Sequence, residues 1–265
     1  MILLIFAAMI KTIIGLPEQQ TQSRILLAYC GKLHLLLAVV ILLIMPFEHR
    51  QIMGINLWVK PLKFALSIGI YCISWSVILQ FLKNEQRNKW FSRFTVFAMT
   101  FEMMAIFTQA ARGELSHFNQ TGHYNVILYG LMGIIITGQT IYSIFISIPL
   151  FTRNPEGLSK AMRWALRLGI GISILFALQG GLMGARMAHT VGAADGRAGM
   201  PLLNWSRDYG DLRIAHFFGL HALQILPAFV WLYPSKRATP ILIFGLLYFL
   251  LVSFVFYHAL LGKGY

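Results

Sequence analysis

Seven long apolar stretches separated by short polar loops leave this chain few folds to choose from. They cover roughly residues 25–46, 60–82, 92–112, 125–150, 163–186, 211–233 and 240–261, each close to the ~20 residues a helix needs to cross a hydrocarbon layer. In lipid every backbone N–H and C=O must be satisfied within the chain, so stretches of this length become helices. Breakers sit at or near their ends: Pro46, Pro61, Pro155, Pro201, Pro234 and Pro240. Pro227 falls inside the sixth span and removes a backbone hydrogen bond there. The expected fold is an all-α, polytopic membrane helix bundle of seven transmembrane helices. Residues 1–265 would form one integral-membrane domain. The composition agrees, with 57% hydrophobic and 12% charged residues, where a soluble domain carries about 25% charged.

The net charge of +13 would suggest a nucleic-acid partner in a soluble chain. Here the basic residues cluster in short loops between spans, so no nucleic-acid function is read and the partner is the lipid bilayer. Lys83, Arg87, Lys89 and Arg93 follow span two; Arg153, Lys160 and Arg163 follow span four; Lys236 and Arg237 follow span six. Positive residues favour the cytoplasmic face. This places the protein in a cytoplasmic-type membrane, with the amino terminus inside and the carboxy terminus outside. Residues 1–16 are apolar but short for a span; if they also cross, the helices number eight and the amino terminus moves outside. The loop 187–210 then lies outside, long and glycine-rich, and reads as an extracytoplasmic lid.

Two spans carry polar residues at membrane depth, where insertion is costly and a functional role is the default hypothesis. In span three, Glu102, Gln109, Arg112 and Ser116 cluster within about 80° around a helix. The stripe forms either a cavity wall, with Glu102 handling a proton or cation, or an interhelical seam satisfied by its neighbours. In span six, His216, His221 and Gln224 lie at about −60°, +80° and +20° from Arg213. Asp211 stands at the helix entrance, where a carboxylate is favoured.

Histidines in separate spans allow a cofactor reading. Haem b in membrane bundles is held by histidine pairs from two helices at equal depth. His34 with His221, or His216 with His258, could form such pairs by depth, with Arg112, Arg213 and Lys60 meeting the propionates. The alternative is that each histidine is a buried polar group with a satisfied hydrogen bond. Ser116–His117, Asp211 and the pair His216 and His221 loosely resemble the seven-span intramembrane hydrolases of the alkaline ceramidase and adiponectin-receptor type. That resemblance implies zinc and a hydrolytic role for Ser116, His117 and Asp211. The sequence departs from the family's HxxxH, because its two histidines are five residues apart and about 140° separates them on a helix.

The two cysteines, Cys30 and Cys72, lack CxxC spacing and read as small buried hydrophobes. No phosphate-binding loop, dinucleotide fingerprint, HExxH or CxxCH is present, which argues against ATP-driven transport and c-type haem. The leading expectation is a haem- or metal-dependent redox protein with an outward-facing site. Its ligand candidates are His34, His216, His221 and His258, with Glu102 as proton handler and Arg112 and Arg213 as anion partners. A transporter or ligand-binding protein for a small anionic or zwitterionic solute is the alternative, and zinc hydrolysis the third.

Overall fold

The computed structural model describes residues 21–197, 199–235 and 237–264; the apolar segment 1–16 lies outside them. Among the described residues, seven helices are long and apolar enough to cross a membrane. They are α1 (Gln22–Ile44), α2 (Val59–Ile78), α3 (Glu85–Ala111), α4 (Gly122–Thr152), α5 (Lys160–Arg186), α6 (Leu212–Leu232) and α7 (Thr239–Leu260). Sheet among the described residues is confined to two small antiparallel ladders. β1 (Gln51–Ile52) pairs with β2 (Ile55–Asn56), and β3 (Thr190–Val191) pairs with β4 (Gly210–Asp211). Both ladders lie at one end of the bundle, called here the hairpin end. The chain is an all-α polytopic membrane protein.

Local chemistry sets the helix limits. α3 begins several residues before its apolar run, because Asn84 caps it by accepting from the Arg87 N–H at 2.9 Å. Ser159 caps α5 through the Met162 N–H at 3.1 Å. α5 stops where Met187 turns left-handed at φ 53°. Asp211 caps α6 through the Arg213 N–H at 3.0 Å.

Helix pairing follows small residues. α1 packs along α2, and α5 along α6, more extensively than any other pairs. A Cβ added to Gly31 would fall 2.8 Å from the Gly69 carbonyl oxygen, and one added to Gly169 would fall 2.8 Å from the Ala222 carbonyl oxygen. At these crossings the backbones nearly touch, an approach only glycine permits. The two tight pairs meet through Trp75, Leu27, Phe91, Ile170 and Leu223, which share one buried cluster. The outer faces stay apolar: Leu246, Leu250, Leu251 and Phe254 on α7, and Leu33, Leu36 and Leu43 on α1, are all exposed. A stripe of this kind is stable against acyl chains rather than water.

Candidate functional site

Polar side chains collect at the hairpin end, where the loops between helices fold inward. The segment joining α5 to α6 is held there by several bonds. Besides the β3–β4 ladder, Gly199 and Ser206 form an isolated bridge. Lys63 Nζ donates to the Leu203 carbonyl at 3.1 Å, and Asn204 Nδ2 donates to the Met53 carbonyl at 3.3 Å. The loop therefore rests on the first turn of α2 and on the β1–β2 turn.

Asp211 organises this region. Its side chain is fully buried. Oδ1 accepts from the Arg213 N–H and from Arg213 Nε at 2.9 Å; Oδ2 accepts from the Ser206 N–H at 2.8 Å and from Arg213 Nη2 at 2.6 Å. Arg213 Nη2 also donates to the Asn204 carbonyl. A carboxylate bonded this completely, with its counter-ion two residues away, holds the loop against α6. Its oxygens have little capacity left for a metal ion.

A second carboxylate is occupied in the same manner. Asp195 Oδ2 accepts from the His189 ring Nδ1–H and the His189 backbone N–H, both at 2.9 Å, and Oδ1 accepts from the Thr190 N–H at 2.8 Å. Burial pushes this carboxyl up, but the hydrogen bonds outweigh it and hold the group below the usual carboxylate range. Burial pushes His189 down, against the pull of Asp195, and the positive charges of Arg213 and Lys60 act in the same downward sense. The neutral imidazole is favoured.

Around these two carboxylates lies a group of cations and imidazoles. Lys60 is within electrostatic reach of Lys63, Arg213 and Glu102, and Lys63 is within reach of Arg213 and Asp211. Lys60 Nζ stands 6.0 Å from the centre of the Phe64 ring. His117 sits among Phe64, Phe118 and Tyr129, with ring centroids 5.9–6.2 Å away for Phe64, Phe118 and Tyr129. Burial lowers its pKa well below the ordinary value, and Lys60, His189 and His216 reinforce this. Phe118 bridges the two loop histidines, with its ring 4.7 Å from that of His189.

Glu102 enters from α3. It is 5% exposed, and its Oε1 has no hydrogen-bond partner. Lys60 is the cation within its electrostatic reach. A cavity of about 20 Å³, room for about one water, lies between the loop and α6 and is bounded by Met53, His189, Asp195, Asn204 and Arg213.

The sequence-derived candidates are thus only partly brought together. Glu102, His117, Asp211, Arg213 and His216 share the hairpin end. Ser116 Oγ lies 3.1 Å from His117 Nδ1. His216 Nδ1–H donates to the Phe176 carbonyl at 2.7 Å, and His216 is within electrostatic reach of His221. His221 lies deeper: its Nδ1 is 3.2 Å from Gln224 Oε1, and Gln224 Nε2 donates to Ser74 Oγ at 2.9 Å.

Arg112 is exposed and turned elsewhere, donating to Gln109 Oε1 at 2.8 Å and covering the Tyr124 ring at 4.6 Å. His34 belongs to another neighbourhood, with Nδ1 2.8 Å from the Cys30 carbonyl. His258 lies in the last turn of α7 near Phe254. The Nδ1 bonds of His34 and His216 leave Nε2 as the basic nitrogen, the tautomer a metal would need. Among the described residues, however, no contact joins His34 to His221, and no group of three or more His, Cys, Asp or Glu is placed to hold a metal ion.

Sequence reasoning offers Lys60 and Lys63, which flank Pro61, as headgroup anchors or as an anion-binding pair, but does not join Lys63 to Arg213 and Asp211. It also missed His189 with Asp195, for which a histidine and an acid six residues apart in a glycine-rich loop are a weak signal. No family model, curated protein or solved structure matches the chain.

Proposed function

We propose that this protein is an outward-facing membrane receptor or carrier for a small anionic solute, bound at the hairpin end. One observation carries the reading: Lys60, Lys63 and Arg213, from two helices, lie within electrostatic reach of one another, while the nearby carboxylates are already engaged. Asp211 is occupied by Arg213 and Ser206, and Asp195 by His189 and Thr190. Of these carboxyl groups, among the described residues, Glu102 keeps an oxygen without a hydrogen-bond partner, and with Arg213 paired to Asp211 it faces Lys60 and Lys63. Like charges held together at a half-buried site repel, and an anion relieves the repulsion.

The loop 187–210 serves as the lid over this site, because Leu203 and Asn204 reach Lys63 and Arg213 through their carbonyls. The basic loops at the other end, with Arg153, Lys160, Arg163 and Arg237, support placing the hairpin end outside. The same arrangement favours a solute over zinc hydrolysis, since Asp211 is engaged by Arg213 rather than turned to His117.

The test is calorimetric titration of the detergent-purified protein with small carboxylates and inorganic phosphate, with an absorption spectrum of the same sample. Binding should weaken as salt rises, and Lys60→Gln should weaken it about tenfold. If no anion binds, or if a Soret band appears that His34→Ala removes, the solute reading fails; the second result would favour haem.

A further inference from the structure

The two cysteines are separated by 42 positions but meet in the bundle. Cys30 Sγ and Cys72 Sγ lie 3.7 Å apart, one on α1 and one on α2, and neither is in a disulfide. Their closeness comes from the crossing of these helices at Gly31 and Gly69. Cys30 is the residue before Gly31, and Cys72 is one helical turn beyond Gly69, so both project from the point of closest backbone approach. A disulfide, with S–S near about 2.0 Å, would join two sulfurs that already face each other across this crossing.

His34 completes the group. Its Nδ1–H donates to the Cys30 carbonyl at 2.8 Å and lies 3.6 Å from Cys30 Sγ. A carbonyl oxygen can only accept, so Nδ1 carries the hydrogen and offers it to the sulfur as well. Cys72 Sγ lies within hydrogen-bond reach of Cys30 Sγ, and its thiol can donate there. Cys30 Sγ therefore stands within reach of two donors, His34 Nδ1–H and the Cys72 thiol. Cys30 is the attacking sulfur and Cys72 the one that closes the bond.

We propose that Cys30 and Cys72 form a redox-active dithiol that reduces a lipid-soluble quinone and closes to a disulfide between α1 and α2. The surroundings select this class of acceptor. The pair shares its cluster with Ile68, Met99 and Met103 in the apolar interior, where water-borne oxidants and protein thiols do not reach. On α1 the neighbouring Leu26, Tyr29 and Leu33 are exposed, so Cys30 lies one helical row behind the lipid-facing surface. In the reaction the Cys30 sulfur, having lost its proton, adds to a ring carbon of the quinone. The Cys72 sulfur, losing its own proton, then attacks the Cys30 sulfur. The S–C bond breaks with both electrons remaining on the ring, and the ring oxygens take up the two protons. Dithiol and quinone become disulfide and quinol, with atoms and electrons balanced.

The experiment uses the full chain, reduced, freed of reductant and held in detergent. It is mixed with decylubiquinone, unfolded in SDS and treated with a maleimide that adds mass. Because the chain has only two cysteines, the count is direct. Two labels should fall to none, one quinol should form per chain by absorbance, and non-reducing gels should show monomer. Cys72→Ala should yield no quinol, and His34→Gln should slow the reaction about tenfold while reaching the same end point. Two labels retained after quinone exposure would overturn the proposal, as would disulfide-linked dimers or quinol formation by Cys72→Ala. The wild-type count needs no variant, so misfolding of a substituted chain leaves the test intact.

Discussion

At the end opposite the hairpins, the cations are held one at a time. Arg167 donates through Nε to the Leu150 carbonyl at 2.7 Å, and through Nη2 to the Arg153 carbonyl at 2.8 Å. Arg24 donates to the Ser76 carbonyl, and Lys83 meets Glu156 with both side chains at least 80% exposed. At the hairpin end, Lys60, Lys63 and Arg213 stand close enough to influence one another, with three histidines beside them. The difference lies in how charge is compensated. A cation on helix-terminal carbonyls is neutralised locally by the backbone, so one substitution there disturbs one contact. Cations grouped around the engaged Asp211 form a coupled set, whose members respond together to a ligand, a proton or the loss of a partner.

The sharpest way to break that contrast is to remove the residue that couples the set. Asp211→Ala leaves Arg213 half-buried without its counter-ion and frees the loop at Ser206. It should lower stability by about 3–5 kcal/mol, read as a fall in melting temperature in detergent. Arg167→Ala, which removes carbonyl bonds at the other end, should lower it by about 1–2 kcal/mol. Equal losses would mean that the two ends are held in the same way.

Next in size is the effect on ligand. Lys60→Gln should reduce anion affinity about tenfold, whereas Lys83→Gln should leave it unchanged by titration calorimetry. A similar loss in both would reduce the reading to overall charge.

Acid should separate the ends as well. His117 and His189 have pKa values lowered in the folded state, so the unfolded chain binds more protons. Their stabilising contribution is present above the ordinary histidine value of about 6.5 and is lost as pH falls below it. Asp195, also lowered, adds a loss below about pH 4. The opposite end has no histidine. Limited proteolysis from pH 7.5 to 5.5 should therefore open the 190–209 loop first, and His189→Gln should flatten that dependence. Cleavage that is insensitive to pH would count against the buried neutral imidazoles.

The smallest effect belongs to the exposed pair. Glu156→Ala should change stability by less than about 0.5 kcal/mol; a larger loss would show that the opposite end is also coupled.

Much of the architecture could be read from residue order, because the cost of exposing backbone to lipid makes any apolar run of span length a helix. The misplacements were local: the start of α3 was set too late because Asn84 and its polar first turn lie outside the apolar run. The candidate site was legible only in part. Glu102, Arg213 and His216 stood out because polar groups are rare at membrane depth. Lys60 and Lys63 were legible only as headgroup anchors or a possible anion pair and His189 not at all, because a lysine near a helix entry or a histidine in a loop is ordinary until its neighbours are known.

The sequence by itself determined that the chain is a helical membrane bundle and which of its side chains are too polar to face lipid. Both depend on properties of single segments, namely length, hydropathy and charge. Only the tertiary structure decided which polar groups meet. It engaged Asp211 with Arg213, left a Glu102 oxygen without a hydrogen-bond partner, and separated Arg112 from the cationic group. It also brought Cys30 to Cys72 across the Gly31–Gly69 crossing. Such pairings depend on helix rotation and crossing point, set by packing between segments far apart in the chain, and no local pattern records them.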